Sequence, residues 1–341
     1  MKARYRSLSL NLGSQHNAGA MLLPVLLSIL AVSLPARAEW YGDARPLMGT
    51  EVSVRLWHDD QAQGALLVEQ VYAEVERINQ LMSTYIEDSQ ISMINRYAAD
   101  EPVAVRDELF QLIRRSLDIS VLTLGAFDIT YDSVGQHYDF RNRLRPDATV
   151  VAEARQLIDY RRVLLDQAAG TIRFDRPGVR INLGGIAKGY VVERGVELLR
   201  AAGVANAIVT AGGDSRLLGD RRGQPWMVGI RDPRNEGQVA ISVPLENEAI
   251  STSGDYERYF EDEGVRYHHI LSPSTGEPAS GVRSATVFGP DAVITDALST
   301  SVFVMGVDQG LRLIATLPDY ESIVIDDDGQ IYYSDGLQRP E

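Results

Sequence analysis

Two kinds of hydrophobic spacing follow each other in the first third of the chain. Apolar and polar side chains alternate over residues 48–57, which predicts a half-buried strand. Apolar positions then recur at helical spacing over residues 68–82, which predicts a long amphipathic helix. Residues 82–96 are polar and irregular, whereas residues 109–124 again have helical spacing and are followed by Gly125, a typical residue after a helix C-terminus. This part therefore predicts a strand, a helix, a polar segment and a second helix.

The remainder of the chain is rich in short extended segments. Gly170 lies between two apolar runs and predicts a hairpin over residues 163–174, and residues 181–203 predict a strand end, a glycine turn and a helix. Further strands are predicted at residues 207–210, 226–230, 239–243, 249–253 and 285–288. The last hairpin turns at Asp328-Gly329, a pair that favours a type I′ turn. Helices and antiparallel strands are mixed without an internal repeat, so the sequence predicts one α+β domain of about 300 residues.

Residues 1–38 are predicted to be a leader and not a part of this domain. They begin with basic residues, continue with an apolar run over residues 21–34 and end at Ala36-Arg37-Ala38, an A-x-A cleavage pattern. These features are typical of a secretory signal peptide, and the apolar run is short for a membrane span. We predict a cleaved signal peptide at residues 1–38 and a mature domain over residues 39–341, with an uncleaved N-terminal anchor as the alternative.

Charge and cysteine content exclude several classes of function. The formal net charge of the 341 residues is −14, and it becomes −18 without the leader, which carries four basic and no acidic residues. This charge argues against nucleic acid or an anionic membrane surface as a partner. The chain has no cysteine, which excludes disulfides, thiolate chemistry, cysteine-based metal sites and a lipid attached to cysteine. The protein is therefore not a lipoprotein.

Two oxygen-bearing side chains lie near the start of an apolar segment, ITDALSTSVFVMG (residues 294–306). If this segment is helical, Asp296 and Thr300 lie on one face, one turn apart. One interpretation is that Thr295 or Asp296 caps the helix by accepting free backbone N–H groups. The other is that the carboxylate and the hydroxyl bind a hard cation such as Mg²⁺. Spacing alone leaves both interpretations open.

A glycine-rich turn over residues 184–189 precedes a predicted helix and includes Lys188. It is not a Walker A loop, because Tyr190 follows Gly189 at the position where that motif requires Lys. A helix N-terminus with a nearby cation can nonetheless bind an anion. The alternative is a purely structural turn.

Aromatic, acidic and histidine side chains elsewhere also have two interpretations each. Tyr85 and Phe127 could stack on a flat ring or lie in the core. Asp128 could bind a ligand or close a turn. In an extended segment His268 and His269 point to opposite faces, so only one of them can face a site and assist proton transfer.

Taken in chain order, a set of short blocks resembles the ApbE family, the FAD:protein FMN transferases. The blocks are MGT, MSTY, GAFDIT, INLGGIAKGY, AGGD, STSGDYERYF, HHILSPSTG and TDALSTSVFVMG, and they extend over residues 48–306. The resemblance implies a single ApbE-like domain of mixed helices and largely antiparallel strands. It also implies an exported bacterial enzyme, which agrees with the predicted leader and suggests a periplasmic location.

The resemblance implies a specific reaction. FMN is transferred from FAD to a threonine or serine hydroxyl of an acceptor protein in a Mg²⁺-dependent step, and AMP is released. The implied partners are FAD and an acceptor protein with an FMN-binding domain, which the family suggests is a subunit of a membrane redox complex. The alternatives are a periplasmic FAD pyrophosphatase that forms FMN and AMP, and a non-catalytic flavin-binding protein.

The family pattern also implies roles for individual residues. Asp296 and Thr300 match metal-binding side chains, Gly185 matches a position that offers the metal a backbone carbonyl, and His269 matches a candidate base. Positions that match FAD contacts are Met48, Tyr85, Ala126, Phe127, Asp128, Asn182, Lys188 and Leu271. Two positions depart from the pattern, because Asn182 and Ser272 stand where aspartate is usual. Both departures remove a negative charge near the implied site.

Overall fold

An eight-stranded antiparallel sheet is the centre of the fold in the computed structural model, which describes residues 38–337. These residues belong to one compact unit. The predicted signal peptide lies outside the described residues. None of the helices within residues 38–337 is both long and apolar enough to cross a membrane.

The strands and helices have the following bounds. The strands are β1 Glu39–Leu47, β2 Thr50–His58, β3 Val103–Ala104, β4 Val163–Asp166, β5 Thr171–Phe174, β6 Ala207–Ala211, β7 Asp214–Leu218, β8 Trp226–Arg231, β9 Val239–Leu245, β10 Ala249–Gly254, β11 Tyr259–Asp262, β12 Val265–His268, β13 Val282–Gly289, β14 Glu321–Asp326 and β15 Ile331–Tyr333. The α-helices are α1 Gln61–Met82, α2 Gln90–Tyr97, α3 Asp107–Leu122, α4 Asp132–Gly135, α5 Ala148–Arg155, α6 Ala187–Ala201 and α7 Ala292–Ile314. Short 3-10 turns lie at Ile129–Tyr131 and Tyr160–Arg162.

The main sheet has the strand order β1-β2-β6-β7-β10-β13-β14-β15. Helices cover one face, and the β8–β9 hairpin covers part of the other. Strand β7 shows both contacts, because Arg216 binds Glu193 of α6 whereas Leu217 packs with Trp226 of β8. Successive side chains of a strand point to opposite faces. Alternate residues of β7, starting with Asp214, therefore face the helical layer.

Helices α6 and α7 pack closely against each other at Gly189. A Cβ atom added there would lie 2.1 Å from the carbonyl oxygen of Ala292 and 2.7 Å from Cβ of Asp296. Real Cβ atoms do not approach other atoms so closely, so only glycine allows this crossing. The contact brings the N-terminal turns of both helices together above β7 and β10.

The structure confirms the α+β prediction with largely antiparallel strands, but two local predictions are wrong. Residues 82–96 are not wholly irregular, because α2 begins after Ser89, whose side chain accepts the N–H of Ser92 at 3.1 Å. The β14–β15 turn is not type I′, since only Gly329 of its two central residues has a positive φ. Instead Asp326 accepts the N–H groups of Asp328 and Gln330, which holds a longer loop.

Candidate functional site

Asp296 lies inside α7 and does not cap it. The cap is Asp291, whose carboxylate accepts the N–H groups of Val293 and Ile294. Asp296 is only 1% exposed, and its Oδ2 accepts the backbone N–H of Gly189 at 2.9 Å. The capping interpretation is therefore wrong for Asp296. Its carboxylate instead reaches across to the start of α6.

Thr300 lies one helical turn after Asp296, as its spacing predicts. Its hydroxyl is 3.2 Å from Oγ of Ser253 on β10, and Ser253 also contacts Ser299 at 2.9 Å. A similar hydroxyl pair joins Ser251 and Thr295 at 2.9 Å. This row of hydroxyl groups holds α7 against β10 and fixes the position of Thr300.

Gly185 brings the glycine turn close to Thr300. A Cβ atom added at Gly185 would lie 3.3 Å from Oγ1 of Thr300 and 3.2 Å from Cε2 of Phe127. The backbone of the turn thus approaches α7 at Thr300, as it does at Asp296 through Gly189. These contacts bring the three predicted metal-binding residues to one place, where two helix N-termini meet.

Lys188 places a positive charge at the point where the N-termini of α6 and α7 meet. Its Nζ contacts Oδ2 of Asp214 and lies 3.6 Å from Oδ1 of Asp296. Asp214 is 0% exposed, and its Oδ1 has no hydrogen-bond partner among residues 38–337. Sequence reasoning did not select Asp214, although it ends the AGGD block. The signal that could have identified it is a carboxylate that opens a fully buried strand.

Burial and the neighbouring charges together raise the pKa of both Asp296 and Lys188. Burial raises the pKa of Asp296, and the carboxylate of Asp214 raises it further, against the opposing effect of Lys188 and the Gly189 N–H. Burial alone would lower the pKa of Lys188, but Asp214 and Asp296 outweigh burial and raise it above its ordinary value. Lys188 is therefore a cation at neutral pH, beside two carboxyl groups.

The predicted flavin-binding residues occupy different environments. Tyr85 is 88% exposed, whereas Phe127 is buried in the core next to Gly185. Ala126 directly precedes Phe127 and donates its N–H to the carbonyl oxygen of Thr123. Tyr85 is thus available to stack on a ring, while Phe127 can present only one edge to the glycine turn.

Met48 and Leu271 lie outside the charged cluster. Met48 forms the β1–β2 turn with a positive φ of 52° and packs against the main core. Leu271 is buried in a separate small cluster with Val134 and Tyr138. Their contacts to FAD remain predictions that the family pattern implies.

Asp128 closes a turn. Its Oδ1 accepts the N–H and the hydroxyl of Thr130 at 2.8 and 2.6 Å, and its Oδ2 accepts the N–H of Tyr160 at 2.8 Å. These bonds tie the GAFDIT block to the 3-10 turn at Tyr160–Arg162. The structural interpretation therefore accounts for the carboxylate, and its contact to FAD remains a prediction.

Asn182 organises the glycine turn through both ends of its amide. Its Oδ1 accepts the N–H of Gly184 at 2.8 Å, and its Nδ2 donates to Oγ1 of Thr84 at 3.3 Å and to Oδ1 of Asp132 at 3.2 Å. Asp132 is buried and also binds Arg180 at 3.1 Å. The carboxyl group that is missing at position 182 is therefore replaced by a neighbouring one, on Asp132.

We expect Asn182→Asp to destabilise the protein by about 1 to 3 kcal/mol, because it replaces a hydrogen bond to a buried carboxylate by repulsion between carboxylates. Urea unfolding of both proteins measures the difference. The double variant Asp132→Asn/Asn182→Asp restores a donor and an acceptor, so it should recover most of the loss. Equal stability of the wild type and the single variant would contradict this interpretation of the pair.

The two histidines have distinct roles in the structure. His268 is buried, its Nε2 contacts the carbonyl oxygen of Ala279 at 2.9 Å, and its Nδ1 accepts the N–H of Ile270 at 3.3 Å. His269 donates its backbone N–H to Arg258, and its Nδ1 has no hydrogen-bond partner in the described part of the chain. His268 is thus a satisfied core histidine, and His269 has a ring nitrogen left for a ligand.

Burial and, to a smaller extent, the positive charge of Arg258 lower the pKa of His269 to about 3. Sequence reasoning did not select Arg258, which also donates from Nη2 to the carbonyl oxygen of Gly49 at 3.4 Å. Arg258 therefore links the turn that follows Met48 to His269.

Ser272 lies in a tight turn, where its hydroxyl contacts Ser274 at 2.9 Å.

Comparisons with known proteins agree with this arrangement. A family model described as the ApbE family matches residues 48–324. Curated relatives named FAD:protein FMN transferase include one from Treponema pallidum, 31% identical over 93% of each chain, and one from Vibrio cholerae, 32% identical over 86% of this chain and 90% of the relative.

Solved structures support the same conclusion. The ApbE protein from Thermotoga maritima has a TM-score of 0.81 and 35% identity, over 87% of this chain and 98% of its own. The flavin transferase ApbE from Vibrio cholerae has a TM-score of 0.76 and 29% identity over the same shares.

Proposed function

This chain belongs to the ApbE family, and we propose that it transfers FMN from FAD to a threonine or serine hydroxyl of an acceptor flavoprotein with the help of Mg²⁺. It is an enzyme of the FAD:protein FMN transferase type. The finer parts of the proposal are the metal, the acceptor hydroxyl and the release of AMP.

The observation that carries the metal part is the buried carboxylate of Asp296, which is not used as a helix cap. Asp296, Thr300 and the Gly185 carbonyl are all hard oxygen donors, the type that Mg²⁺ prefers. No group of three or more His, Cys, Asp or Glu residues within residues 38–337 is arranged to hold a metal by itself. Mg²⁺ commonly binds one or two carboxylates together with substrate phosphates. The residues present therefore fit a Mg²⁺ ion that FAD helps to bind.

The proposed reaction is a displacement at the phosphorus of the FMN half of FAD. The acceptor hydroxyl oxygen forms a new P–O bond, the P–O bond to the AMP phosphate breaks, and AMP leaves with that electron pair. The hydroxyl proton passes to a base, for which His269 is the candidate. Bound Mg²⁺ would neutralise charge on the pyrophosphate.

The chain's own residues bind and orient the substrate in this proposal. Asp296 and Thr300 would hold the cation, and the Lys188 ammonium would add positive charge where the net charge of the protein is otherwise strongly negative. The glycine turn over residues 184–189 lets the backbone approach the phosphates closely. Phosphoryl transfer depends mainly on such positioning and charge stabilisation.

Incubation with FAD, Mg²⁺ and an acceptor protein with an FMN-binding domain tests the proposal. We expect the intact mass of the acceptor to rise by FMN minus water, with one AMP formed for each FMN attached. A Thr→Ala change at the acceptor site is the control and should prevent the mass increase. Free FMN and AMP with an unmodified acceptor would instead indicate the FAD pyrophosphatase.

We also propose that the protein is exported and that its acceptor is a subunit of a membrane redox complex. The support is the leader-like pattern of residues 1–38, which ends at Ala36-Arg37-Ala38. Cell fractionation and N-terminal sequencing should give a periplasmic protein that begins near Glu39. Full-length protein in washed membranes would contradict the cleaved leader.

A further inference from the structure

Asp214 is a buried carboxylate to which the family pattern assigns no role. It opens β7 on the face toward α6, and Lys188 is the partner of its Oδ2. Its Oδ1 has no hydrogen-bond partner among the described residues. A buried charge costs free energy unless it is paired, so the contact with Lys188 offsets the cost of burying the Asp214 side chain.

Lys188 lies between two carboxylates but favours one of them. Its Nζ is in close contact with Asp214, whereas Asp296 Oδ1 is 3.6 Å away, beyond good hydrogen-bond distance. The other oxygen of Asp296 is held by the N–H of Gly189 at 2.9 Å. The ammonium is thus drawn toward the sheet, and its ion pair with Asp296 Oδ1 is the longer of the two.

We propose that Asp214 is a positioning residue that holds the Lys188 ammonium away from Asp296 and so keeps the Asp296 carboxylate available to a divalent cation. This inference rests on the proposed function, because it concerns the same cation. When both carboxyl groups are ionised, the single ammonium leaves one negative charge to attract the metal. Without Asp214, Lys188 and Asp296 would neutralise each other, and the charge that attracts the metal would be lost.

The variant Asp214→Asn tests the proposal, because it removes the charge and keeps the shape of the side chain. Mn²⁺ alone is titrated into the purified protein, and free Mn²⁺ is measured by electron paramagnetic resonance. We expect the dissociation constant of the variant to rise by about tenfold or more, since the Lys188 ammonium would then pair with Asp296 and offset the charge that attracts the cation. This readout does not depend on enzyme activity.

The double variant Asp214→Asn/Lys188→Met separates positioning from direct ligation. It also removes the ammonium that would otherwise neutralise Asp296, so Mn²⁺ affinity should return to within about threefold of the wild type. Glu193→Gln is the matched control, because Glu193 forms the neighbouring α6–β7 ion pair with Arg216 at 3.1 Å. It should leave the Mn²⁺ affinity unchanged. Thermal unfolding verifies that each variant is folded.

The outcomes distinguish this inference from the proposed function. Wild-type affinity in Asp214→Asn overturns the inference, and so does a loss that Lys188→Met does not recover, because the latter indicates that Asp214 is a ligand or a structural residue. A wild-type protein that binds no Mn²⁺ and turns over FAD in excess chelator overturns the proposed metal itself.

Discussion

Asp296→Asn is expected to reduce FAD turnover by a factor of about 10³ or more, because it removes the charged ligand of the proposed metal site. The asparagine can still accept the N–H of Gly189, so the contact between α6 and α7 is kept. The variant should therefore fold, and the loss should appear in catalysis. FAD turnover is measured as AMP formed at saturating FAD over a range of Mg²⁺ concentrations.

Asp291→Ala is the matched control on the same helix. Asp291 is the actual N-cap of α7, and its loss should cost about 1 kcal/mol of stability. Its turnover per folded molecule should remain close to that of the wild type, because Asp291 binds the helix end and not the metal. Undiminished turnover in Asp296→Asn, or full wild-type activity in excess chelator, would contradict the metal assignment.

This pair of variants also shows what the sequence could not decide. The spacing of Asp296 and Thr300 correctly predicts one helical face, but the choice between cap and metal ligand depends on where the helix begins. Hydrophobic periodicity does not determine a helix start to within one or two residues. Helix α7 begins at Ala292, so Asp291 takes the cap. The start of this helix is known only from the folded structure.

The elements that were predicted correctly share strong local patterns. In α1 the apolar positions that indicated a helix are buried, including Val71, Val75 and Ile78. In β10 and β13 the predicted strands pair with each other in the main sheet. The local spacing of hydrophobic residues is sufficient to predict a helix or strand where one face of that element lies in the core. Strand β1, by contrast, lies at the sheet edge with mostly exposed residues, so its pattern is weak.

The pairing of Lys188 with Asp214 could not be predicted in this way. The two residues belong to different elements, and their contact depends on the packing of α6 over β7. The same holds for Asn182 and Asp132, because Asp132 lies outside the motif blocks and its contact with Asn182 depends on tertiary packing. Motifs identify which residue types are present, whereas their charge partners are set by tertiary packing.

His269→Ala is expected to slow FMN transfer to the acceptor by about 10² to 10⁴, the usual contribution of a general base. With its pKa lowered to about 3, His269 is neutral at pH 7 and able to accept a proton. Its Nδ1 has no hydrogen-bond partner in the described part of the chain, so no other side chain competes for that nitrogen. Single-turnover transfer, followed by the flavin fluorescence of the acceptor, measures the rate.

His268→Ala is the matched control, because the neighbouring ring is bonded within the protein. Its Nε2 contacts Ala279, and its ring packs edge-on against Phe303 at 5.4 Å. We expect this variant to lose about 1 to 3 kcal/mol of stability, the effect of leaving buried polar groups unpaired. Its transfer rate per folded molecule should change little.

The contrast between rate and binding decides the role of His269. A base acts on the acceptor hydroxyl and leaves FAD binding nearly unchanged, so the dissociation constant of FAD in His269→Ala should stay within about threefold of the wild type. A variant that binds FAD poorly but transfers FMN at the normal rate once saturated would make His269 a binding residue. If folded His268→Ala transfers FMN more slowly than His269→Ala, the base is His268 and the assignment to His269 is wrong. Because His269 is a weak base in the free protein, the negative pyrophosphate of bound FAD is expected to raise its proton affinity when the acceptor arrives.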